Sequence, residues 1–313
     1  MVSVPVRFRL PSVRHRWQNG GRALHLQRIA HHLTAVSHSA PLRRRLAVVA
    51  VAALLAGCAT APPAPARARE LTVLVYNIRA GKDLAGRENL ARIADVVRST
   101  GADLVLLQEV DRNTRRSGPT DQPAALARLT GYSAAFGRTI SFQGGDYGIA
   151  LLSRWPIQRD TLVPLAVTAP PGRTVEGREQ RGVLLAVIAA PGGPLAVLDT
   201  HLDHTGDDVW RVQEIATVLR VAREMAEPGM PLLLGGDFNS GPESAVHEQL
   251  RGAGFRDAWA GCGEGDEKTF PSNAPVRRID YLYVTGDTRC RSARVLPGEA
   301  SDHRAVLFRL RLR

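Results

Sequence analysis

Acids, amides and histidines stand repeatedly at the ends of apolar runs in this chain. Asn77 follows LTVLVY, Glu109 follows LVLLQ, and His201 follows AVLDT. Asp237 and Asn239 come after LLLGG, Asp280 after RRI, and Asp302-His303 precede the last apolar run. Taken singly, each reads as a cap or turn residue. Seven such placements read as a site, because strand ends gather at one edge of a sheet. The residue types match one chemistry. Glu, Asp and Asn offer hard oxygen ligands suited to Mg2+ or Mn2+, and no Cys/His cluster has zinc spacing. Two histidines with spare carboxylates supply acid–base groups that titrate near neutrality. Hydrolysis of a phosphoester needs this combination. Cationic groups offset the charge gathering on phosphorus-bound oxygens, while an Asp–His arrangement activates water.

These residues need elements to carry them. Residues 71–78 form a β-rich apolar run and read as a strand. Residues 103–108, 148–153, 182–190, 195–200, 231–236, 279–284, 291–295 and 305–310 read as further strands. Pro191-Gly192-Gly193-Pro194 makes a hairpin turn between two of them. Leu90, Ile93, Ala94 and Val97 recur at helical spacing within 87–99, which Gly101 ends. Residues 121–130, 209–227 and 243–251 read as three more helices. No linker or repeat interrupts 71–313, so one domain is expected there. Mixed strands and helices with central hairpins exclude a simple alternating βαβ fold; two stacked sheets with helices outside accommodate every segment.

The 313 residues carry a formal net charge of +11, which first points to a nucleic-acid partner. That reading fails, because nine of the 41 basic residues lie in residues 1–58, where there is no acid at all. The remainder is close to neutral. Lys82 and Lys268 are the chain's lysines, and no basic, aromatic-interleaved stretch is present, so nucleic acid is not favoured. A hydrophobic content of 44% excludes a globally disordered chain.

The basic leader has its own logic. Arg43-Arg44-Arg45, a short apolar run over 46–56 and the ending LAGC have the layout of a secretory signal. The run is too short to span a bilayer. LAGC resembles the lipobox of bacterial lipoproteins, which implies lipidation of Cys58 and a periplasm-facing membrane anchor. Ala59 after that cysteine would permit the outer membrane. Residues 1–42 are long for an n-region, and translation beginning nearer Val36 would account for them. Residues 59–70 read as a Pro/Ala-rich, semi-rigid spacer. In an oxidising compartment Cys262 and Cys290 either pair as a disulfide or stay as two thiols.

Seven stretches carry a family resemblance: VYNIRAG, LVLLQEVD, YGIALLSRWPI, DTHLDH, LLGGDFNS, RRIDYLYV and SDHRAV. In this order they resemble the endonuclease/exonuclease/phosphatase (DNase I-like) superfamily, over residues 71–313. The resemblance implies an α/β fold, a four-layer α/β/β/α sandwich with two mixed sheets face to face. It implies Glu109 as principal metal ligand, with Asn77 beside it and Asp302 as a further metal-site acid. Asp237 and Asn239 are implied to orient or activate the attacking water. His303 is implied to face the phosphoryl group with Asp280 as its carboxylate partner. His201 is implied to contact phosphate or to give the leaving group a proton.

Around this set, Arg181 reads as a phosphate ligand or as a solvated residue at a strand start. Tyr147 lines the pocket or packs, and Asp203 and His204 extend the THLDH motif toward substrate or metal. Asp207 and Asp208 read as starting the helix at 209, and His247 reads as structural. The segment 115–122 is either a substrate-contacting loop or plain surface. The expected protein is therefore an exported, monomeric, Mg2+- or Mn2+-dependent hydrolase of phosphomonoesters or phosphodiesters, such as lipid head groups or small phosphorylated metabolites. The alternatives are a secreted DNA or RNA nuclease and a non-catalytic binding lipoprotein. The intact Glu109, Asp237, Asn239, Asp280 and His303 count against the last.

Overall fold

The computed structural model describes residues 69–312; the expected leader, Cys58 and the spacer up to residue 68 lie outside the described residues. The first half comprises β1 (Arg69–Asn77), α1 (Leu90–Thr100), β2 (Leu104–Arg112), α2 (Gln122–Thr130), β3 (Ser133–Phe142), β4 (Gly145–Ser153) and β5 (Ile157–Leu165). Next come β6 (Arg181–Ile188), β7 (Leu195–His201), α3 (Val209–Met225), β8 (Leu232–Asp237) and α4 (Ala245–Gly252). The chain then runs through β9 (Arg256–Asp257), α5 (Ala258–Cys262), β10 (Gly263–Glu264), β11 (Asp280–Val284), β12 (Arg289–Val295) and β13 (Val306–Leu312).

The strands make two mixed sheets, ordered β10-β12-β13-β1-β2-β4-β3 and β5-β6-β7-β8-β11-β9. Alternation along the strands sends residues to both faces. Val73, Val75, Leu104 and Leu106 from one sheet meet Leu184, Val197, Leu233 and Leu282 from the other in the central core. The same strands turn Leu74, Val105 and Leu107 outward onto Ile93 and Val97 of α1 and Leu126 of α2. On the far side Leu198, Leu234 and Tyr281 pack against Ile215 and Leu219 of α3 and Val246 of α4. The result is the four-layer sandwich that the seven motifs implied.

Strands buried on both faces must be apolar at every position, which explains the unbroken runs LTVLVY and LVLLQ. Sequence reading missed four strands, all at sheet edges: β9 and β10, of two residues each, and the longer β3 and β5. One face of each longer strand meets water, so SAAFGRTISF and IQRDTLVPL carry polar residues, and Pro164 is tolerated because an edge strand can omit a ladder hydrogen bond. All four expected helices are present. The first starts at Leu90 rather than 87, because Glu88 bridges back to Lys82. Gly101 closes it in the left-handed region at φ 61°, where a side chain would be strained.

Cys262 and Cys290 are joined as a disulfide, tying α5 to β12. No helix among the described residues is long and apolar enough to cross a membrane.

Candidate active site

Sheet register builds the floor of the site. β7 runs parallel to β8 with His201 opposite Asp237. β8 runs antiparallel to β11 with Asp237 opposite Asp280. His201, Asp237 and Asp280 therefore form one row across three neighbouring strands, about 4.8 Å apart per step. Just before Asp237, Gly236 has φ 138°, and a Cβ there would meet the Thr200 carbonyl oxygen at 1.9 Å. Only glycine lets the two strands approach so closely at this point.

The other sheet reaches the floor through Asn77, at the end of β1. Its Nδ2 donates to Glu109 Oε1 at 3.1 Å and to Asp237 Oδ2 at 3.0 Å, while its Oδ1 accepts from the Arg79 amide at 3.0 Å. Glu109 sits where the pairing of β2 with β4 shifts register, at φ 54°. A left-handed backbone at a non-glycine residue costs on the order of 1 kcal/mol. That irregularity turns the carboxylate into the cavity, since an unbroken strand would carry it along the ladder.

The SDH turn is held by Ser301, whose hydroxyl donates to the Asn77 carbonyl at 2.8 Å. It brings His303 over the row. His303 Nδ1 donates to Asp280 Oδ2 at 3.0 Å, and its Nε2 lies 3.6 Å from Asp237 Oδ2. Asp302 turns toward Arg79, with Nε 3.5 Å from Oδ2. Asn239, at φ 50°, donates its backbone N–H to Asp237 Oδ1 at 2.9 Å and its amide to the Leu202 carbonyl at 3.0 Å.

Electrostatics set the protonation states. Burial pulls His303 down, but the carboxylates of Asp280 and Asp237 outweigh it and raise the imidazole to about 10, so it is cationic at neutral pH. Burial also pushes Asp237 up to about 7, against the pull of cationic His303. His201 goes the other way: burial, then the charge of Arg181, holds it well below its ordinary value, so it is neutral. Beneath the floor, Gln108 Nε2 donates to Asp199 Oδ1 at 2.6 Å between the sheets. Burial keeps Asp199 well above the carboxylate range, and as a neutral acid its hydroxyl can return a bond to the otherwise unpartnered Gln108 Oε1.

These side chains open onto a cavity of about 430 Å³ lined by Glu109, Tyr147, Arg181, His201, His204, Asp237, Asn239, Asp302 and His303. Asn77 and Asp280 stand directly behind it, fully buried and bonded to lining residues. Two sequence expectations need correction. Arg181 is 4% exposed, so the solvated alternative is wrong. Asp203 does not reach the cavity; its carboxylate accepts from Arg178 and from the Thr205 backbone, and its own N–H donates to Glu214 on α3. It is a structural turn acid. Asp207 accepts from the Val209 backbone at the start of α3, as expected, whereas Asp208 bonds Arg211.

In the 115–122 segment only Arg116 lines the cavity; Asp121 caps α2 and Gln122 is buried against the Ala80 carbonyl. Sequence reasoning missed Glu179, Phe142, Phe270 and Arg277, which also line the cavity. Glu179 lies in the loop just before β6 and gives no periodic signal. Phe270 and Arg277 lie between α5 and β11 and give no periodic signal.

His247 is structural, as expected. It is fully buried, with Nδ1 2.6 Å from the Tyr283 hydroxyl and Nε2 3.1 Å from Ser240 Oγ. Burial lowers it to about 4, so the native state refuses a proton that the unfolded chain accepts from about pH 6.5 downward. Stability from this group is complete above about pH 6.5 and is eroded as pH falls toward 4, by roughly 3 kcal/mol in all. A neutral replacement, His247→Gln, should flatten that slope in urea unfolding at neutral and mildly acidic pH; equal slopes in both proteins would rule the account out.

Residues 74–303 match the Endonuclease/Exonuclease/phosphatase family. "Uncharacterized protein YbhP" of Escherichia coli (strain K12) is 30% identical over 226 residues, spanning 68% of this chain and 83% of that protein. Among solved structures, an endonuclease/exonuclease/phosphatase from Beutenbergia cavernae DSM 12333 superposes with a TM-score of 0.66 at 27% identity, covering 78% of this chain and 72% of that one. The fold is also shared with the mannosyl-6-phosphatase Bt3783 of Bacteroides thetaiotaomicron VPI-5482, at a TM-score of 0.64 and 20% identity over 77% of this chain and 99% of that one. With the match running from β1 through the His303 turn, this chain belongs to the Endonuclease/Exonuclease/phosphatase family.

Proposed function

We propose that the cavity hydrolyses phosphoesters with Mg2+ or Mn2+ as cofactor. The observation that carries this reading is the row His201–Asp237–Asp280 with cationic His303 seated over it. Asp237, poised near neutrality, is the general base that takes a proton from the attacking water. Asn239 holds the Asp237 carboxylate through its backbone N–H. His303, kept charged and oriented by Asp280, faces the phosphoryl oxygens and offsets their growing charge. The water oxygen bonds to phosphorus as the bond to the alcohol breaks, and the departing oxygen collects a proton from solvent.

Two groups of residues offer ligands for the cation. Asp237, Asp280 and His303 have ligand atoms within 4.8 Å of one another. That cluster is knit internally by the His303–Asp280 bond and holds a cationic imidazolium, which repels a second cation. Glu109 and Asp302, with Asn77 beside them, fit better, because they offer hard oxygens on the cavity wall. A cation held there would neutralise charge on the phosphoryl oxygens.

The cavity volume of about 430 Å³ is that of a small-molecule site, favouring a compact phosphoester over a nucleic-acid duplex. The disulfide supports an exported protein, and with lipidation at Cys58 the enzyme would act as a monomer at a periplasm-facing membrane, outer rather than inner. The test is turnover of p-nitrophenyl phosphate and bis-p-nitrophenyl phosphate by the full chain with Mg2+, Mn2+ or EDTA. Metal-dependent release from either ester is expected, and the better ester chooses between phosphatase and phosphodiesterase. Failure on both under every metal would overturn the reading.

A further inference from the structure

Arg181 touches two histidines of the cavity at once. Its Nη1 lies 3.0 Å from His201 Nδ1, and its Nη2 lies 3.0 Å from His204 Nδ1. A guanidinium has hydrogen-bond donors and no acceptor, so both Nδ1 atoms must accept. A neutral imidazole that accepts at Nδ1 carries its proton at Nε2. We propose that Arg181 is a positioning residue that locks His201 and His204 as Nε2–H tautomers, giving the cavity two fixed N–H donors and no imidazole able to accept a proton.

The lock is rigid. Arg181 is 4% exposed, and Glu179 Oε1 holds Nη1 from a further side at 2.8 Å. Each Nη atom has a histidine partner, while Nε is buried without one, so the guanidinium is oriented by the two rings. Both histidines line the cavity, and His201 Nε2 lies 3.6 Å from Asp237 Oδ2, above which an acceptor-only phosphoryl oxygen would receive its proton. The contrast with His303 is chemical. There a carboxylate sits at Nδ1, forcing that nitrogen to donate, whereas a guanidinium at Nδ1 forces it to accept. Identical rings are thus given opposite roles by the sign of one neighbour.

What the donors meet rests on the phosphoester reading; the tautomers themselves do not. The experiment is long-range ¹H–¹⁵N correlation on the full chain with ¹⁵N-labelled histidine, signals being assigned with His201→Gln and His204→Gln. Wild type at neutral pH should show both rings neutral and protonated at Nε2. In Arg181→Lys, which keeps the charge but cannot reach both rings, at least one should become a mixture of tautomers. In the same variant kcat should fall about a hundredfold with KM nearly unchanged. An Nδ1–H or doubly protonated His201 in wild type, or an unchanged tautomer pattern in the variant, would overturn the proposal. Because the wild-type spectrum needs no turnover, an inactive chain with both rings at Nε2–H would sink the hydrolase reading and leave the lock standing.

Discussion

Asp237→Asn is expected to lower phosphoester turnover by about a thousandfold while leaving the protein folded. The replacement keeps the shape of the side chain and removes its ability to take a proton. Asp237 is 1% exposed and burial already pushes it up to about 7, so its charge contributes little to holding the native state. The carboxamide can still accept one of the bonds now made to the carboxylate, from the Asn239 backbone or from Asn77. It must then present its own N–H₂ to the other donor, a local mismatch costing about 1–3 kcal/mol. A folded variant, judged by its thermal melt, with turnover within tenfold of wild type would move the base elsewhere on the floor.

The second large effect concerns Glu109. Substituting Glu109→Gly should abolish metal-stimulated turnover and weaken Mn2+ binding at least tenfold, with no loss of stability. This combination is unusual for a partly buried residue. It follows from φ 54°: glycine enters the left-handed region freely, and relief of about 1 kcal/mol of backbone strain offsets the lost hydrogen bond from Asn77. Mn2+ titration by water-proton relaxation and a denaturant midpoint measure the two halves separately. Unchanged metal binding would transfer the cation to the Asp237–Asp280–His303 cluster. A large drop in stability would mean that Glu109 serves the fold.

How much of this was readable in advance depended on burial. The central strands are covered on both faces, so their apolar runs are continuous and their polar endings conspicuous; Asn77, Glu109, His201, Asp237 and Asp280 could be picked out for that reason. At the sheet edges β3 and β5 half their residues meet water, and the signal dissolved. Asp203 misled because it sits inside the THLDH motif while its side chain turns back to Arg178. Arg181 was ambiguous because an arginine opening a strand is ordinarily solvated, and only the packing of His201, His204 and Glu179 around it shows otherwise. Glu179, Phe270 and Arg277 reach the cavity from loops, where position is set by tertiary contacts with no repeat in the sequence to betray it.

The row of His201, Asp237 and Asp280 has a bearing on heredity. Its spacings are written in backbone ladders between β7, β8 and β11, which side-chain substitution hardly touches. Phe142, Glu179, Phe270 and Arg277 hang from a hairpin and loops that contribute no strand to that row. Descendants of such a protein can therefore exchange one clientele of esters for another by rewriting the rim, while the reaction itself is passed on unaltered.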